Sequence, residues 1–457
     1  MAIETGAEIR EPRVVIIGAG FAGLQAALYL AGKPVNVLLI DRRNHHTFQP
    51  LLYQVALAAL SPGDIAAPIR SIFRNRRNVD VLMDEVIGID TKNKTIHLRS
   101  SVNMPYDYLI LATGSTHSYF GHDAWEPYAP GLKTVEDAIE IRRRILLAFE
   151  LAERQALERG SHPPLNFVVI GGGPTGAELA GAISDISRLY MREDFRHIDP
   201  SQAHVIILEG SPRILASYPE DLSRKAVEEL RALGVEVRTN ATVTDVQPGY
   251  VVANGEKIES VVTLWAAGVQ ASPLGKMLGT EMDKKGTIFV DPFLNPAGHP
   301  DIFVCGDLAN VTENGRRIPG VAQPAMQMGK HAAKEIMADL EGKPRKPFHY
   351  FDKGDMATIG RHNAVADLKW PFRAHMSGLP AWMAWLTIHI YFLIGFRNRI
   401  VVMLHWIWMY FALSVGPRLI TGSQKLPGWN KLVGAESRVN EKWLDPNSPG
   451  AVETPPS

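Results

Sequence analysis

The sequence predicts an α/β fold with two Rossmann-like dinucleotide-binding domains, followed by an amphipathic helical region that anchors the chain to a membrane. The first observation is a strand, glycine turn, helix and strand pattern that begins at Val14. The second is the return of this pattern from Phe167 onward. The third is a C-terminal segment that is rich in tryptophan and free of acidic residues. Together they favour two nucleotide sites and one apolar surface.

The first unit, Val14–Asp41, reads VVIIGAGFAGLQAALYLAGKPVNVLLID. Gly18 allows a tight turn, Gly20 lets the backbone approach a diphosphate, and Gly23 lets the helix pack on the strand. The helix N-terminus adds free N–H groups and a partial positive charge for the phosphates. Asp41 ends the second strand, where its carboxylate either accepts from a ribose hydroxyl or lies in solvent. This unit predicts a dinucleotide site.

The second unit repeats this plan in Phe167–Ile183, FVVIGGGPTGAELAGAI. A further apolar strand with a small-residue turn follows each unit, YLILATGS after the first and VVTLWAAGV after the second. Gly114 lies 96 residues after Gly18, and Gly268 lies 97 residues after Gly171. Matched spacing between two matched motifs indicates two units of one plan. The glycines of the second unit are Gly171, Gly173 and Gly176.

Glu209 is the acid at the strand end of the second unit, in HVIILEG. It lies 33 residues after Gly176, beyond the ~20 expected, because residues 188–200 are inserted. A carboxylate there accepts from a free ribose 2′-OH and repels a 2′-phosphate, which favours NADH over NADPH. Arg213, four residues on, could offset that repulsion, so the predicted preference is not exclusive.

Composition narrows the classes of function. The chain has 457 residues, enough for about three domains, and its 48 basic residues balance its 48 acidic ones, so net charge gives no indication of nucleic acid. Its one cysteine, Cys305, excludes an intramolecular disulfide or a CxxC redox centre and reads as a small buried hydrophobe. No His, Cys and Asp cluster has metal-ligand spacing, so no metal is predicted. The mixed-charge N-terminus resembles neither a signal nor a transit peptide.

The sequence after the second unit predicts a return to the first. Asp301–Ala309, DIFVCGDLA, reads as a short buried strand that ends in a Gly-Asp turn. Gln323–Leu340 reads as a helix, and Gln323 and Gln327 lie four residues apart near its start. That spacing places the two amides on one helical face.

The segment from Leu368 to Ala435 contains no Asp or Glu, yet it holds six of the nine tryptophans. Two apolar runs in it, Leu379–Phe396 and Ile400–Val415, are 18 and 16 residues long, short of the ~20 that a spanning helix needs. Tryptophan favours the membrane interface, and basic residues favour anionic lipid. The segment therefore predicts helices that lie on an anionic membrane surface through residues 379–420, with membrane spans or a buried oligomer interface as alternatives.

Several motifs carry a family resemblance. GAGFAG, ATGS, GGGPTGAELAG and VCGDLA resemble the glutathione-reductase-like flavoproteins, which have two dinucleotide-binding domains. Residues 44–56 (NHHTFQPLLYQVA), 195–200 (FRHIDP), 322–327 (AQPAMQ) and 351–354 (FDKG), with the aromatic C-terminus, resemble type II NADH:quinone oxidoreductase. The resemblance implies non-covalent FAD in the first unit, NADH as substrate in the second, and two-electron reduction of a membrane quinone.

The resemblance also implies site residues. Glu178, in the first turn of its helix, would lie near nicotinamide and flavin, although an acid there also complements the helix dipole. Gln323 and Gln327 would hydrogen-bond the quinone, unless they are ordinary polar residues at a helix start, and Lys353 would complete this catalytic site unless it is simply exposed. The expected FAD-binding residues are Gly18, Gly20, Phe21, Ala22, Gly23, Asp41, Arg42, Gln49, Thr113, Gly114, Asp307 and Gln323. The expected NADH-binding residues are Gly171, Gly173, Pro174, Thr175, Gly176, Glu178, Glu209, Ala267 and Gly268.

These expectations divide the chain into an FAD-binding domain in two parts, 12–120 and 281–345, around an NADH-binding domain, 121–280. A membrane-association region, 346–435, and a flexible tail, 436–457, follow. The expected enzyme is a peripheral membrane protein of the respiratory chain, on the cytoplasmic face of the cell inner membrane, that pumps no protons and forms a homodimer. Two alternatives stay open: a soluble NAD(P)H-dependent flavoprotein reductase of an iron–sulfur protein, and a non-enzymatic NADH-sensing flavoprotein.

Overall fold

The computed structural model describes residues 10–412 and 418–421. These residues form two compact units. The first contains the described part of Met1–Thr47, with Ala66–His117 and Val269–Asp352, and the second contains Phe48–Ile65, Ser118–Gly268 and the described residues from Lys353 onward. The predicted tail, 436–457, lies outside the described residues, and the predicted domain limits stay predictions.

A five-stranded parallel sheet forms the centre of the first unit. Its inner strands are short apolar runs buried along almost their whole length, as expected of parallel strands covered on both faces. The return after the second glycine motif is confirmed, because the strand Ile302–Val304 pairs with Tyr108–Leu111. In spatial order the strands are Ile302–Val304, Tyr108–Leu111, Arg13–Ile17, Asn36–Asp41 and Val79–Met83.

Two helices of the first unit pack against each other, the first glycine helix (Phe21–Leu30) and the amide helix (Ala322–Leu340). Gly329 makes their close approach feasible, because a Cβ at this position would lie 1.9 Å from the main-chain oxygen of Ala22. The amide helix is thereby fixed against the helix that starts at the first glycine turn.

Smaller elements complete the first unit. A three-stranded antiparallel sheet contains Val86–Asp90, Thr95–Leu98 and Asn103–Pro105. Two-stranded pairs join His45–Thr47 to Ala66–Pro68, Ser115–His117 to Val269–Ala271, Ile288–Phe289 to Ala309–Asn310, and Thr312–Glu313 to Arg316–Arg317, and one short helix is Ile69–Ile72.

The second unit contains a parallel sheet of the same plan. The second glycine helix (Pro174–Asp185) follows its strand Asn166–Ile170 and continues into a π-helical turn, Ile186–Tyr190. The sheet order is Val235–Arg238, His204–Leu208, Asn166–Ile170 and Val262–Trp265. The remaining elements before residue 353 are the helices Leu52–Ala56, Pro62–Ile65, Val135–Arg159 and Glu220–Ala232 and the antiparallel strands Val243–Gln247, Tyr250–Ala253 and Glu256–Glu259.

The C-terminal part of the second unit is a three-stranded antiparallel sheet with two helices. The sheet contains Gly354–Ile359, Asn363–Leu368 and Ala374–Ser377. The first C-terminal helix (Gly378–Phe392) buries Ala381 and Trp385. The second C-terminal helix covers Phe396–Ala412.

The two C-terminal helices separate earlier than the apolar pattern suggests. The basic residues at 397–399, which divide the two runs, lie in the first turn of the second C-terminal helix. The chain instead turns at Gly395, whose φ of +90° favours glycine. Arg399 Nε donates to the Leu393 main-chain oxygen at 2.7 Å and so caps the first C-terminal helix. Among the described residues, no helix is long and apolar enough to cross a membrane.

The contact between the glycine and amide helices gives a test of the fold. Gly329→Ala places a methyl group on the Ala22 carbonyl and must push the helices apart, which we expect to cost about 1–3 kcal/mol or more. The free energy of unfolding from urea titration measures this cost. Lys330→Ala, an exposed neighbour on the same helix, is the control and should change the unfolding free energy by less than about 0.5 kcal/mol. Equal unfolding curves for the two variants would contradict the packing described.

Candidate active site

The three glycines of the first unit occupy the positions that the motif predicts. Gly18 has φ +99°, and a Cβ there would lie 2.4 Å from the Ala112 main-chain oxygen. A Cβ on Gly23 would lie 1.8 Å from the Gly18 oxygen, so this glycine lets the helix approach the turn. A Cβ on Gly20 would meet nothing within 4 Å. The open side of Gly20 is where a diphosphate would approach the helix N-terminus.

The Asp41 carboxylate holds the first glycine turn. Its Oδ2 accepts from the main-chain N–H of Ala19 at 2.7 Å, and its Oδ1 accepts from that of Arg43 at 2.8 Å. A carboxylate oxygen has about two lone-pair positions, so each can still accept one bond from a ribose hydroxyl. Asp41 is therefore a structural clamp as well as a candidate ligand, and not an idle strand end in solvent.

The second unit repeats this clamp atom for atom. Glu209 Oε2 accepts from the main-chain N–H of Gly172 at 2.6 Å, and Oε1 accepts from that of Ser211 at 2.7 Å. Gly171 has φ +107°, and a Cβ on Gly176 would lie 1.9 Å from the Gly171 oxygen. The insertion before Glu209 has therefore not displaced this acid from the turn.

Polar atoms near the first turn fit a bound dinucleotide. Thr113 Oγ1 and His46 Nε2 are buried, and neither has a hydrogen-bond partner among the described residues. His46 Nδ1 lies 2.8 Å from the Ala19 oxygen, which can only accept, so Nδ1 carries the proton. Burial lowers the pKa of His46 and favours the neutral ring, which leaves Nε2 as an acceptor. These atoms, with the open side of Gly20, fit FAD in the first unit.

His46 was not among the predicted site residues. The adjacent histidines after Asp41 were a signal in the sequence, but only the fold turns one of them toward the glycine turn. Phe21 contacts the His46 ring edge-on at a centroid distance of 5.3 Å. Both residues therefore border the first glycine turn.

The other residues predicted to bind FAD differ in their exposure and in their hydrogen-bond partners. Asp307 Oδ2 accepts from the Ser115 hydroxyl at 2.5 Å. The Gly114 oxygen accepts from a main-chain N–H at 3.1 Å. Arg42 is exposed and lies 3.9 Å from Glu85. Gln49 is exposed and belongs to the second unit, where its side chain donates to the Lys133 oxygen at 3.3 Å.

The two glutamines of the amide helix differ in their bonding. Gln327 Nε2 donates to the main-chain oxygen of Phe351 at 3.0 Å, and its Oε1 accepts from the Phe351 N–H at 2.9 Å. Its amide thus fixes the position of Phe351, near Asp352, where the first unit ends. Gln323, one turn earlier, is half-buried. Gln323 is therefore the stronger candidate for contact with a bound ring, and Gln327 is a residue that positions the chain.

Glu178 is the fifth residue of the second glycine helix, so its predicted place in the first turn was wrong. Because Gly173 is the N-cap and Pro174 the first helical residue, the carboxyl lies beyond the reach of the free N–H groups. Instead it accepts from the main-chain N–H of Thr358, and its burial raises the pKa to about 8. A carboxyl that is protonated near neutral pH can donate a proton.

Lys353 and Gly268 lie in defined surroundings within the second unit. The Lys353 ammonium lies 5.4 Å from the centre of the Phe392 ring, at the end of the first C-terminal helix. A Cβ on Gly268 would lie 2.6 Å from the Phe120 ring, so this turn accepts only glycine without movement of that ring. Ala267, the residue before it, packs partly buried against the core.

Cys305 matches its predicted structural role. It is fully buried, and burial raises the pKa of its thiol far above the usual range. A thiol in that setting is inert. Among the described residues, no group of three or more His, Cys, Asp or Glu side chains is arranged to hold a metal ion.

Comparison with known proteins agrees with this doubled architecture. Residues 12–329 match the family model for pyridine nucleotide-disulphide oxidoreductases, and residues 353–412 match the NDH2 C-terminal domain. The Mycobacterium tuberculosis type II NADH:quinone oxidoreductase Ndh is 43% identical over 430 residues, which cover 91% of each chain. The NdhA enzyme of the same organism is 44% identical over 426 residues, covering 90% of this chain and 89% of NdhA.

Solved structures show the same fold. The NDH2 structure from Plasmodium falciparum in complex with NADH superposes with a TM-score of 0.80 at 21% identity, covering 90% of this chain and 100% of that one. The sulfide:quinone oxidoreductase of Aquifex aeolicus gives a TM-score of 0.68 at 18% identity, covering 91% of this chain and 98% of that one. At these identities the likeness concerns the fold.

Two glycines of the second unit allow dinucleotide binding and protein stability to be tested separately. A Cβ on Gly173 meets nothing within 4 Å, whereas one on Gly176 meets the Gly171 oxygen. We expect Gly173→Ala to fold normally but to weaken binding of a nicotinamide dinucleotide at least ~10-fold, about 1.4 kcal/mol, because its methyl group occupies the diphosphate approach. Gly176→Ala should instead lower the melting temperature. Calorimetric titration and thermal melting measure both effects, and a Gly173→Ala protein with wild-type affinity would contradict this assignment.

Proposed function

The chain belongs to the type II NADH:quinone oxidoreductases, and from this premise we propose how its residues divide the work of oxidising NADH and reducing a quinone. FAD is the cofactor of this reaction and NADH its electron donor. The proposal assigns FAD to the first glycine unit and NADH to the second. The observation that carries it is the doubled clamp, with Asp41 in one unit and Glu209 in the other.

The first unit would hold FAD without a covalent bond. Gly20 offers room for the diphosphate, and the clamped Asp41 can accept from the ribose of the ADP half. Thr113 and His46 supply polar atoms that the described residues leave without partners. FAD supplies the redox centre between the two substrates. The protein residues bind and orient it.

The second unit would select NADH over NADPH through Glu209. A 2′-phosphate would lie against its carboxylate and be repelled. Arg213 would be poorly placed to bind a 2′-phosphate, because its Nη atoms donate to the main-chain oxygens of Tyr218 and Ala216, each at 2.8 Å. The guanidinium is hydrogen-bonded within its own loop, which supports the expected preference for NADH.

Glu209→Gln tests the cofactor preference. Removing the charge while keeping the side-chain length should lower the ratio of kcat/KM for NADH to that for NADPH by about 10-fold, or 1.4 kcal/mol. Steady-state assays with both nucleotides measure it. Glu236→Gln makes the same chemical change on a neighbouring strand of that sheet and is expected to leave the ratio unchanged. If the ratio stays at the wild-type value in Glu209→Gln, another group selects the nucleotide.

Gln323 would contact the quinone side of the flavin. It lies in the first turn of the amide helix, whose N-terminus favours negative charge that develops on a reduced ring. An amide can bond a quinone carbonyl without bringing a charge into an apolar site. Gln327 holds Phe351, and Lys353, two residues further along the chain, would complete the site.

The second C-terminal helix would contact the membrane. It exposes one apolar stripe, spaced by three and four residues, while Val402 and Trp406 on its other face are buried. Arg397 and Arg399 are exposed at its start and can attract anionic lipid. The stripe consists of Ile400, Met403, Leu404, Ile407 and Trp408. Such a helix lies in the interface and brings the enzyme to a quinone dissolved in the bilayer.

The proposal has three further parts. The enzyme would act at the cytoplasmic face of the cell inner membrane, where its nicotinamide substrate is found. The reaction would move no proton across the bilayer. Two copies of the chain would associate as a homodimer, because part of the exposed apolar surface can pack against a second copy. Residues 413–417, within the predicted membrane segment, lie outside the described residues.

Met403→Glu with Leu404→Glu tests the membrane contact. Two charges in the stripe should lower the bound fraction on phosphatidylcholine–phosphatidylglycerol vesicles at least ~10-fold, since each charge must stay hydrated. Vesicle sedimentation measures the bound fraction. NADH–ferricyanide activity is the control that the variant is folded and still oxidises NADH. These point changes leave Trp385 and Trp406 in the core, which deletion of both helices would remove.

The matched control for the membrane contact is Leu157→Glu, a charge introduced at a 64% exposed leucine of the helix Val135–Arg159. It should bind vesicles like the wild type. A double variant that also sediments like the wild type would refute the assignment of the stripe to the membrane.

A further inference from the structure

The overall reaction consumes a proton that NADH does not carry. NADH gives up a hydride, which is two electrons and one proton, whereas a quinone needs two electrons and two protons to become a quinol. The balance is NADH + H⁺ + quinone → NAD⁺ + quinol. The second proton must come from solvent, and a site that excludes water needs a route for it.

Two buried carboxyl groups share one face of the second glycine helix. Glu178 and Asp185 are seven residues apart, two helical turns, which places them about 10 Å apart along the axis. Asp185 accepts from the main-chain N–H of Arg361 and faces its guanidinium. Even so, burial raises the pKa of Asp185 to about 7. Both groups therefore exchange protons near neutral pH.

Hydroxyl groups connect the surroundings of the two carboxyls. The Tyr53 hydroxyl lies 2.9 Å from Thr358 Oγ1, and the N–H of Thr358 donates to Glu178. Tyr53 is buried, and the charges of both Glu178 and Asp185 act on its hydroxyl and contribute to raising its pKa. Tyr53 thus lies in the electrostatic reach of both carboxyls.

The second C-terminal helix fixes the orientation of the Gln54 amide. Trp406 Nε1 can only donate, and it lies 2.7 Å from Gln54 Oε1. Gln54 therefore presents its Nε2 to the Tyr53 oxygen, at 2.9 Å. The Tyr53 hydroxyl can donate to Thr358 Oγ1 or accept from it, since either atom can be the donor of this hydrogen bond.

A partly open cavity of about 90 Å³ adjoins this chain of groups. Water needs about 10–15 Å³ per molecule and two or more polar partners, so the cavity has room for several waters. Both polar side chains and tryptophans line it. The lining includes Tyr53, Gln54, Asp185, Tyr190, Arg361 and Trp406.

We propose that Asp185 takes up the solvent proton and passes it through cavity water, Tyr53 and Thr358 to Glu178. Each hydroxyl accepts one proton as it gives up another, so neither becomes ionised. Glu178 then donates its proton toward the quinone and is recharged from Asp185. This relay rests on the proposed function and on the position near nicotinamide and flavin that the family resemblance implies for Glu178. Asp185, Tyr53 and Thr358 act through Glu178 and are positioning residues.

The charged and titratable groups around the relay come from four elements. Tyr53 faces it from the short helix Leu52–Ala56, Tyr190 from the π-helical turn, and Tyr218 from the loop before the helix Glu220–Ala232. Arg361 supplies the one cation, from the turn after the strand Gly354–Ile359, as far as the described residues show. Burial raises the pKa of all three tyrosines, so they stay uncharged at neutral pH. Asp355 and Asp367 also act on Tyr218, and the groups of the relay whose charge changes near neutral pH are the two carboxyls.

Thr358→Val and Thr358→Ser form the matched pair that tests the relay. Valine has the shape of threonine without its hydroxyl, and serine restores the hydroxyl. We expect Thr358→Val to lower kcat with a soluble quinone at least ~10-fold at pH 8, part of the 10²–10⁴ that positioned proton donors contribute. The loss should shrink at pH 6, where direct protonation is faster. Thr358→Ser should stay within about two-fold of the wild type.

Ferricyanide reduction by NADH is the control reaction, because this acceptor takes electrons without protons. We expect both Thr358 variants and Asp185→Asn to keep it, while Asp185→Asn loses quinone reduction at pH 8. Quinone rates within two-fold of the wild type from pH 6 to 9 in Thr358→Val and Asp185→Asn would overturn the relay. Equal loss of both activities in the valine and serine variants would also overturn it, since that indicates a structural role.

A failed relay and a failed proposed function give different results. A wild-type protein that bleaches with NADH but reduces no quinone would refute the proposed function. A wild-type protein that reduces quinone, with variants that do so equally well, would refute only the relay. Infrared difference spectra add a readout besides activity: a protonated carboxyl band should fade between pH 6 and 9 and be weakened in Asp185→Asn. Its full persistence in that variant would contradict the role of Asp185.

Discussion

The clamp between a strand-end carboxylate and a glycine turn is the constraint on which both nucleotide sites depend. In each unit one carboxylate oxygen accepts from the N–H after the first glycine and the other from the N–H two residues beyond the acid. Charge-assisted bonds of this kind are stronger than neutral ones. They fix where the helix starts, and therefore where its free N–H groups point. The same side chain that is the candidate ligand of the ribose thus also shapes the turn that a diphosphate would approach.

The second glycine helix connects the glycine turn to the two buried carboxyl groups, Glu178 and Asp185. Gly181 lets the helix lie against the turn after the strand Gly354–Ile359, since a Cβ there would be 2.5 Å from the Gly360 nitrogen. That close approach brings the Thr358 N–H to Glu178 and the Arg361 N–H to Asp185. One helix therefore begins at a nucleotide site and ends at a cavity. Its glycines permit close packing and so place two acids where burial raises their pKa values toward neutral pH.

Local signals in the sequence predicted the features that depend on local geometry. The matched glycine spacing and Asp41 follow from short motifs, and the structure places them as expected. Contacts between distant parts of the chain had no such signal. Tyr53 and Thr358 are 305 positions apart, and although Tyr53 lies in the motif at residues 44–56, nothing in the sequence pairs it with Thr358. Gln327 was predicted as a ligand from its side-chain type, which alone cannot show that its amide also bonds the main chain of Phe351.

The tryptophans of the C-terminal segment show that a high tryptophan content can have two causes, burial in a core and exposure on an apolar surface. Their abundance was interpreted as a preference for the membrane interface, yet Trp385 is 1% exposed and Trp406 donates its N–H inside the unit, while Trp408 is 65% exposed. Trp406 and Trp408 lie on one helix, two residues apart and therefore on different sides. The side that closes the cavity cannot shift without moving the apolar stripe. Any contact of this stripe with a membrane would therefore be linked, through a single helix, to the order of the groups around Tyr53.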